Sequence, residues 1–432
     1  MTPRDDDAPG TGLDEESLLA RYRDAEPADL QRWWSWVERR GTPLIDPASG
    51  LSTFLWRAPH AADAPEGLEA VHVHVNRVTD KERHADGLMR HVPGTDLWVR
   101  SLPLEAGLRA SYGFKFPRAD AAPPSGPPSF DSYDTRLDPW NPLPPLADRG
   151  GHGLSVYRGP AAPPQPEWES GARQPVRGRI LHEVRALPRD AARDVVRGHW
   201  LYLPDPAAVP EAEPLPLLTL FDAETWFGSA GLPAALEAAV EAGRLRPLAV
   251  LAVSNTARLD RIECLGANSE FLREVAGEAT AWATRRAAEA GFALAGRESR
   301  VVAGQSLGGL SALIAALELP GHYGHALAHS PSMWWTPDGA STPRDMGRRT
   351  GEDWVTDRFR AAPAGDVRVQ LAVGDREGLT LPRLDILRGV LLERGWNAVS
   401  ATYGGGHDVA WWRGALLDGL EAALGRGPAA NG

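Results

Sequence analysis

The sequence predicts an all-β sandwich module followed by an α/β module whose mostly parallel sheet is flanked by helices. Three observations carry this reading: a two-residue apolar rhythm from about Leu51 to Pro117, a proline-rich stretch after it, and short apolar runs alternating with helical periods from about residue 176. A length of 432 residues agrees with two modules, because a single hydrophobic core stops growing near roughly 250–300 residues.

In the first module, Val71-His72-Val73-His74-Val75 alternates as a strand does, and Gly, Pro and Asp break the region into short runs. His72 and His74 share one face, as two metal ligands would, but the valines opposite them predict a solvent-facing pair. The runs Ala121-Ala122-Pro123-Pro124, Asp138-Pro139-Trp140-Asn141-Pro142 and Ala161-Ala162-Pro163-Pro164-Gln165-Pro166 exclude helix interiors and central strands, so they read as an extended connection. The expected division is a disordered tail over 1–15, a β-sandwich over 16–150, a proline-rich linker over 151–175 and the α/β module over 176–426.

Within the α/β module the expected strands are Gly178–Val184, His199–Leu203, Pro216–Phe221, Pro247–Val253, Arg300–Ala303, Val367–Val373 and Ala398–Tyr403. Leu310, Leu313, Ile314 and Leu317 follow the spacing of one buried helical face, as do Leu384, Leu387 and Leu391.

Composition narrows the function. Hydrophobic residues are 43% and charged residues 24%, the balance of a soluble globular chain. A net charge of −11 disfavours nucleic acid as a partner. No run approaches the ~20 apolar residues that span a bilayer, and the N-terminus is acidic where a signal peptide is basic, which predicts a cytoplasmic protein without a membrane partner. The lone Cys264 leaves no internal disulfide and no thiolate cluster for zinc. Lys81 and Lys115 are the only lysines, so almost all the cations are arginines, suited to planar and anionic groups.

The chemistry is carried by Val301-Val302-Ala303-Gly304-Gln305-Ser306-Leu307-Gly308-Gly309, an apolar strand running through GxSxG into an amphipathic helix. A serine on that sharp turn stands at the carboxyl edge of the sheet, with the amide of Leu307 aimed where an oxyanion develops. This is the nucleophile turn of an α/β-hydrolase. Tyr403-Gly404-Gly405-Gly406-His407-Asp408 sets a histidine on the loop after the last expected strand, where the order Ser, acid, His requires the base. Gly374-Asp375-Arg376-Glu377 follows the preceding strand and offers two carboxylates, between which the sequence does not choose. The second oxyanion amide is expected from the loop after Leu217–Phe221, at Ala223. Trp334, Trp335, Trp412, Arg261, Arg376 and Arg413 fall on loops expected at the same rim, where they would bind a flat anionic substrate.

These residues resemble the enterochelin (enterobactin) esterase family over nearly the whole chain. In the first module the resemblance is carried by Thr53-Phe54-Leu55-Trp56-Arg57, Asn76-Arg77-Val78-Thr79-Asp80, Gly94-Thr95-Asp96-Leu97-Trp98 and Ser111-Tyr112-Gly113-Phe114. In the second it is carried by Val302 to Leu313, by Ser330-Pro331-Ser332-Met333-Trp334-Trp335 and by Gly405-Gly406-His407-Asp408 with Trp412-Arg413-Gly414. The resemblance implies an Ig-like sandwich before an α/β-hydrolase domain, Ser306 as nucleophile, His407 as base, and Glu377 rather than Asp375 as acid. It also implies hydrolysis of the trilactone esters of ferric catecholate siderophores in the cytoplasm, with no cofactor and with iron only as part of the substrate. One position departs, since Cys264 stands where the family carries a glutamate three residues after the arginine matched by Arg261. The competing expectations are a general carboxylesterase or acyltransferase on another ester, and a siderophore-binding protein without turnover. A monomer or a homodimer is expected.

Overall fold

The computed structural model describes residues 12–46, 49–58, 70–117, 133–147, 153–169, 174–193, 195–210, 213–255, 257–348, 351 and 353–425. The chain divides at Pro163/Pro164 into two compact units. The expected tail lies outside the described residues up to Thr11, and its last residue, Glu15, already opens a helix.

The first unit holds β1 (Leu44–Ile45), β2 (Ser52–Arg57), β3 (His72–Val75), β4 (Arg90–His91), β5 (Leu97–Leu102), β6 (Arg109–Pro117), β7 (Tyr133–Arg136), β8 (Leu146–Ala147) and β9 (Gly153–Arg158). They form one sheet in the order β1-β2-β5-β4 and another in the order β3-β6-β9-β8, with β7 paired to β6. Alternation makes the sandwich: Phe54 of β2 shares a core with Val73, Val75, Phe114 and Tyr157 of the other sheet. Its neighbour Leu55 faces the opposite way, onto Trp33, Trp34 and Val37.

Those tryptophans belong to a part of the module that the strand rhythm does not predict. Helices span Glu15–Tyr22 and Pro27–Arg40 and cover the outer face of the first sheet. Asp14 caps the first by accepting from the amide of Ser17 at 3.1 Å. Pro27 opens the second and Gly41, at φ 82°, ends it. The linker expectation also changes, because residues 153–158 pair with β6 as β9.

The His72–His74 pair is corrected as well. Both rings are buried, not solvent-facing. His72 stacks on His84 with centroids 4.0 Å apart and its Nε2 lies 2.8 Å from the His84 carbonyl.

The second unit holds β10 (Arg179–Arg185), β11 (Arg197–Leu203), β12 (Leu217–Phe221), β13 (Ala249–Val253), β14 (Arg300–Gln305), β15 (His325–His329), β16 (Arg368–Gly374) and β17 (Ala398–Tyr403). They form one sheet in the order β10-β11-β13-β12-β14-β15-β16-β17, antiparallel through β11 and parallel beyond. The seven expected strands are present. The sequence reading omits β15, whose His-Ala-Leu-Ala-His holds only three apolar residues between histidines.

Period-two alternation again sorts the side chains. Leu217, Leu251, Val302 and Ala326 pack on one face, and Leu218, Val250, Val301 and Leu327 on the other. Both faces are covered, which leaves the edge past the carboxyl ends of the parallel strands as the place for a site.

Burial drives the pKa values of His72, His199, His322 and His329 down to about 4. An unfolded imidazole titrates near ~6.5, so between those values the unfolded chain binds more protons. This contribution to stability is complete above pH ~6.5 and is lost as pH falls toward 4. The thermal midpoint should therefore drop between pH 7.5 and 5, and the drop should be smaller in His322→Gln. Equal slopes for wild type and variant would contradict the assignment.

Candidate active site

Strand β14 ends at Gln305, and Ser306 follows at φ 58°, ψ −119°, before a helix over Leu307–Glu318. That conformation is costly for a residue with a Cβ. It is reached because Gly304 lets the chain double back: a Cβ there would lie 2.4 Å from the Gly308 carbonyl carbon and oxygen. The amide of Ser306 donates to the His329 carbonyl at 2.9 Å, and its own carbonyl accepts from the Ser332 amide at 3.0 Å. Its hydroxyl lies 3.4 Å from the Ser332 hydroxyl. Leu307 opens the helix, so its N–H is among the four without an intrahelical acceptor.

Past β16 the chain turns, and its two carboxylates part company. Asp375 is exposed, and its Oδ1 accepts from the Gly405 amide at 2.9 Å, fixing one loop to another. Glu377 is only 4% exposed. Its Oε2 lies 2.7 Å from His407 Nδ1, while Oε1 accepts from the Ser330 hydroxyl at 2.5 Å and the Gly374 amide at 3.1 Å. Burial alone raises a carboxyl pKa. Here the hydrogen bond and charge of His407, with the donors from Ser330 and Gly374, outweigh it and hold Glu377 below the usual carboxylate value. An ionised carboxylate only accepts, so Nδ1 of His407 carries the hydrogen of this contact.

The segment after β15 joins these parts. Ser330, at φ 43°, donates its hydroxyl to Glu377 and accepts from the Trp412 indole at 2.9 Å. Trp412 in turn sets its ring edge-on to His407, centroids 4.8 Å apart. His329 and Ser332, on either side, hold the turn at Ser306. Sequence reasoning assigns Ser330 and Ser332 no structural part, because β15, the strand that would have placed them at the carboxyl edge, is not read from the sequence.

The expected rim divides in the same way. Trp334 and Trp335 are half-buried, with Trp335 edge-on to Trp354 at 4.9 Å, and Arg376 is also half-buried. Trp412 is buried against the catalytic candidates instead of lining an open wall. Two arginines are corrected. Arg413 is buried, donates through Nε to Gln165 at 2.8 Å and lies over the Trp168 ring at 5.8 Å. Arg261 is buried and grips Asp222 through Nε and Nη2 at 2.6 and 2.8 Å. The guanidinium fork of Arg261 is engaged at two points by a side chain of the same unit, and both arginines are buried where the sequence reading set them on an open rim. Ala223, the expected second oxyanion amide, is buried immediately after Asp222.

Comparison with known proteins bears on the chain as a whole. The family model described as "Enterochelin esterase, N-terminal" matches residues 51–168, and the one described as "Putative esterase" matches residues 197–423. An iron(III) salmochelin esterase of Escherichia coli is 38% identical over 402 residues, covering 91% of this chain and 93% of that protein. The chain belongs to the enterochelin esterase family. An iron(III) enterobactin esterase of Dickeya dadantii, another member, is 31% identical, covering 94% of this chain and 96% of its own length. The crystal structure of the enterobactin esterase of Shigella flexneri in the presence of enterobactin is similar with a TM-score of 0.74 at 26% identity, covering 90% of this chain and 97% of that one. The family and the sandwich-plus-hydrolase fold expected from the sequence are thus found.

The unequal placement of the two carboxylates gives a direct test. Glu377→Gln should lower kcat by about 10²–10⁴-fold, because the amide no longer holds the imidazolium that forms as His407 takes a proton. Asp375→Asn keeps an oxygen for Gly405 and should stay within about threefold of wild type. Steady-state kinetics on one ester compare the two, and a reversed ranking would move the acid to Asp375.

Proposed function

We propose that this chain hydrolyses the trilactone ester bonds of ferric catecholate siderophores, acting in the cytoplasm to release iron. The reading is carried by one observation: the 2.7 Å contact of Glu377 with His407, in a chain whose relatives are named iron(III) salmochelin and enterobactin esterases. No helix among the described residues is long and apolar enough to cross a membrane.

On this reading His407 Nε2 takes the proton of Ser306 as its Oγ attacks a lactone carbonyl. The carbonyl oxygen becomes an oxyanion facing the amides of Leu307 and Ala223, in the field of the helix N-terminus. Collapse expels the alkoxide, which takes the proton from His407, and leaves an acyl group on Ser306. A water molecule, deprotonated by the same imidazole, attacks that ester, and a carboxylic acid leaves as Ser306 regains its hydrogen. Iron enters only as part of the substrate, and these steps need no cofactor. Half-buried Trp334, Trp335 and Arg376 would supply stacking and charge to a flat anionic ligand.

Ser306→Ala should abolish turnover, by about 10⁴-fold or more, while still quenching tryptophan fluorescence on titration with ferric trilactone. Product analysis by mass spectrometry checks both proteins. Rapid cleavage of simple aryl esters with none of any trilactone would overturn the substrate assignment, and an intact trilactone after incubation with wild type would reduce the protein to a binder.

A further inference from the structure

Asp222 is the first residue after β12 and stands at φ 59°. Its carboxylate is fully buried. Oδ1 accepts from Arg261 Nε at 2.6 Å and from Asn255 Nδ2 at 2.6 Å, and Oδ2 accepts from Arg261 Nη2 at 2.8 Å and from Gln305 Nε2 at 2.9 Å. Four donor contacts from three segments hold one side chain, including a bidentate guanidinium and the residue just before Ser306. Such an anion is expensive to bury and is kept only where its geometry is over-determined.

The main chain of Asp222 is held too. Its carbonyl accepts from the Thr225 amide at 2.9 Å. A trans peptide is planar, with its C=O and N–H on opposite sides. Fixing the carbonyl of residue 222 therefore fixes the direction of the N–H of Ala223, which points the other way. The side-chain clamp holds the left-handed conformation that sets this plane, and Gln305 ties it to the strand that carries Ser306.

We infer that Asp222 is a positioning residue for ester hydrolysis: clamped by Arg261, Asn255 and Gln305, it aims the amide of Ala223 at the oxyanion and sets its distance from Ser306. The role rests on the esterase reading above and deepens it. It also assigns Arg261 to the tetrahedral intermediate through Asp222, where the sequence had placed it on the substrate.

The test uses an aryl boronic acid, whose boron bonds to the Ser306 oxygen and presents a tetrahedral oxygen to the same amides. Asp222→Asn should lower kcat by about 10²-fold, the scale of losing one oxyanion donor, with KM within about twofold. Boronate affinity should fall by a factor similar to that for kcat/KM. Ferric trilactone should bind Ser306→Ala and the Asp222→Asn, Ser306→Ala double variant equally. Arg261→Lys keeps the charge but loses the bidentate grip, and should show a smaller loss on the same readouts. It decides the question should Asp222→Asn not fold. Unchanged boronate affinity in either folded variant, or equal losses in trilactone and boronate binding, overturns the role of Asp222. Wild type that cleaves neither an aryl ester nor the trilactone overturns the esterase reading instead.

Discussion

The hydrogen bond between Glu377 and His407 is the constraint around which the proposed catalytic edge is built. A carboxylate that is 4% exposed is stable only if its lone pairs are filled. The donors come from the ends of different strands: Gly374 at the end of β16, Ser330 after β15 and His407 after β17. Satisfying one buried charge therefore brings three loops to one place. The same loop that carries Ser330 holds the backbone of Ser306 on either side, through His329 and Ser332. Glu377, His407 and Ser306, the proposed acid, base and nucleophile, are thus fixed by a shared support.

Backbone strain also falls at the same edge. Three neighbouring strands, β12, β14 and β15, are each followed by a non-glycine residue with positive φ: Asp222 at 59°, Ser306 at 58° and Ser330 at 43°. Each such residue costs of order 1–3 kcal/mol and persists only where its surroundings over-determine it. The surroundings here are identifiable. Arg261, Asn255 and Gln305 hold the first, the close approach of Gly304 to Gly308 permits the second, and Glu377, Trp412 and the Ala372 carbonyl hold the third.

What the sequence makes legible follows from how local each signal is. The turn at Ser306 is written in consecutive residues, strand, Gly-Gln-Ser-Leu-Gly, then helix, and its geometry is as expected. The acid is narrowed to Asp375 or Glu377 by position, but both sit on one short turn, and only tertiary burial sends Glu377 inward and Asp375 to the Gly405 amide. β15 escapes because its two terminal histidines look polar. In the fold, burial keeps His329 neutral, and all five residues are buried. The helices over Glu15–Arg40 escape because charged residues interrupt their tryptophans, whose apolar stripe emerges only when wound at 3.6 residues per turn. Asp222 is the least legible: its partners lie 33, 39 and 83 positions away.

The fate of the arginines bears on how an anionic substrate is selected. A chain with only two lysines is expected from composition to display its guanidinium groups for ligands. Several of them instead face inward, where Arg197 pairs with the fully buried Asp190 and Arg261 with the fully buried Asp222. A planar fork matches a carboxylate at two points and is weakly hydrated, so it offsets the cost of burying an anion better than an ammonium does. Arg261 and Arg413 are consequently tied to the chain's own groups, and half-buried Arg376 is the member of the expected trio left nearer the surface. It lies between Asp375 and Glu377, so a ligand drawn to its charge would arrive beside the proposed acid. On the proposed reading, affinity and chemistry are then joined on a single turn of three residues.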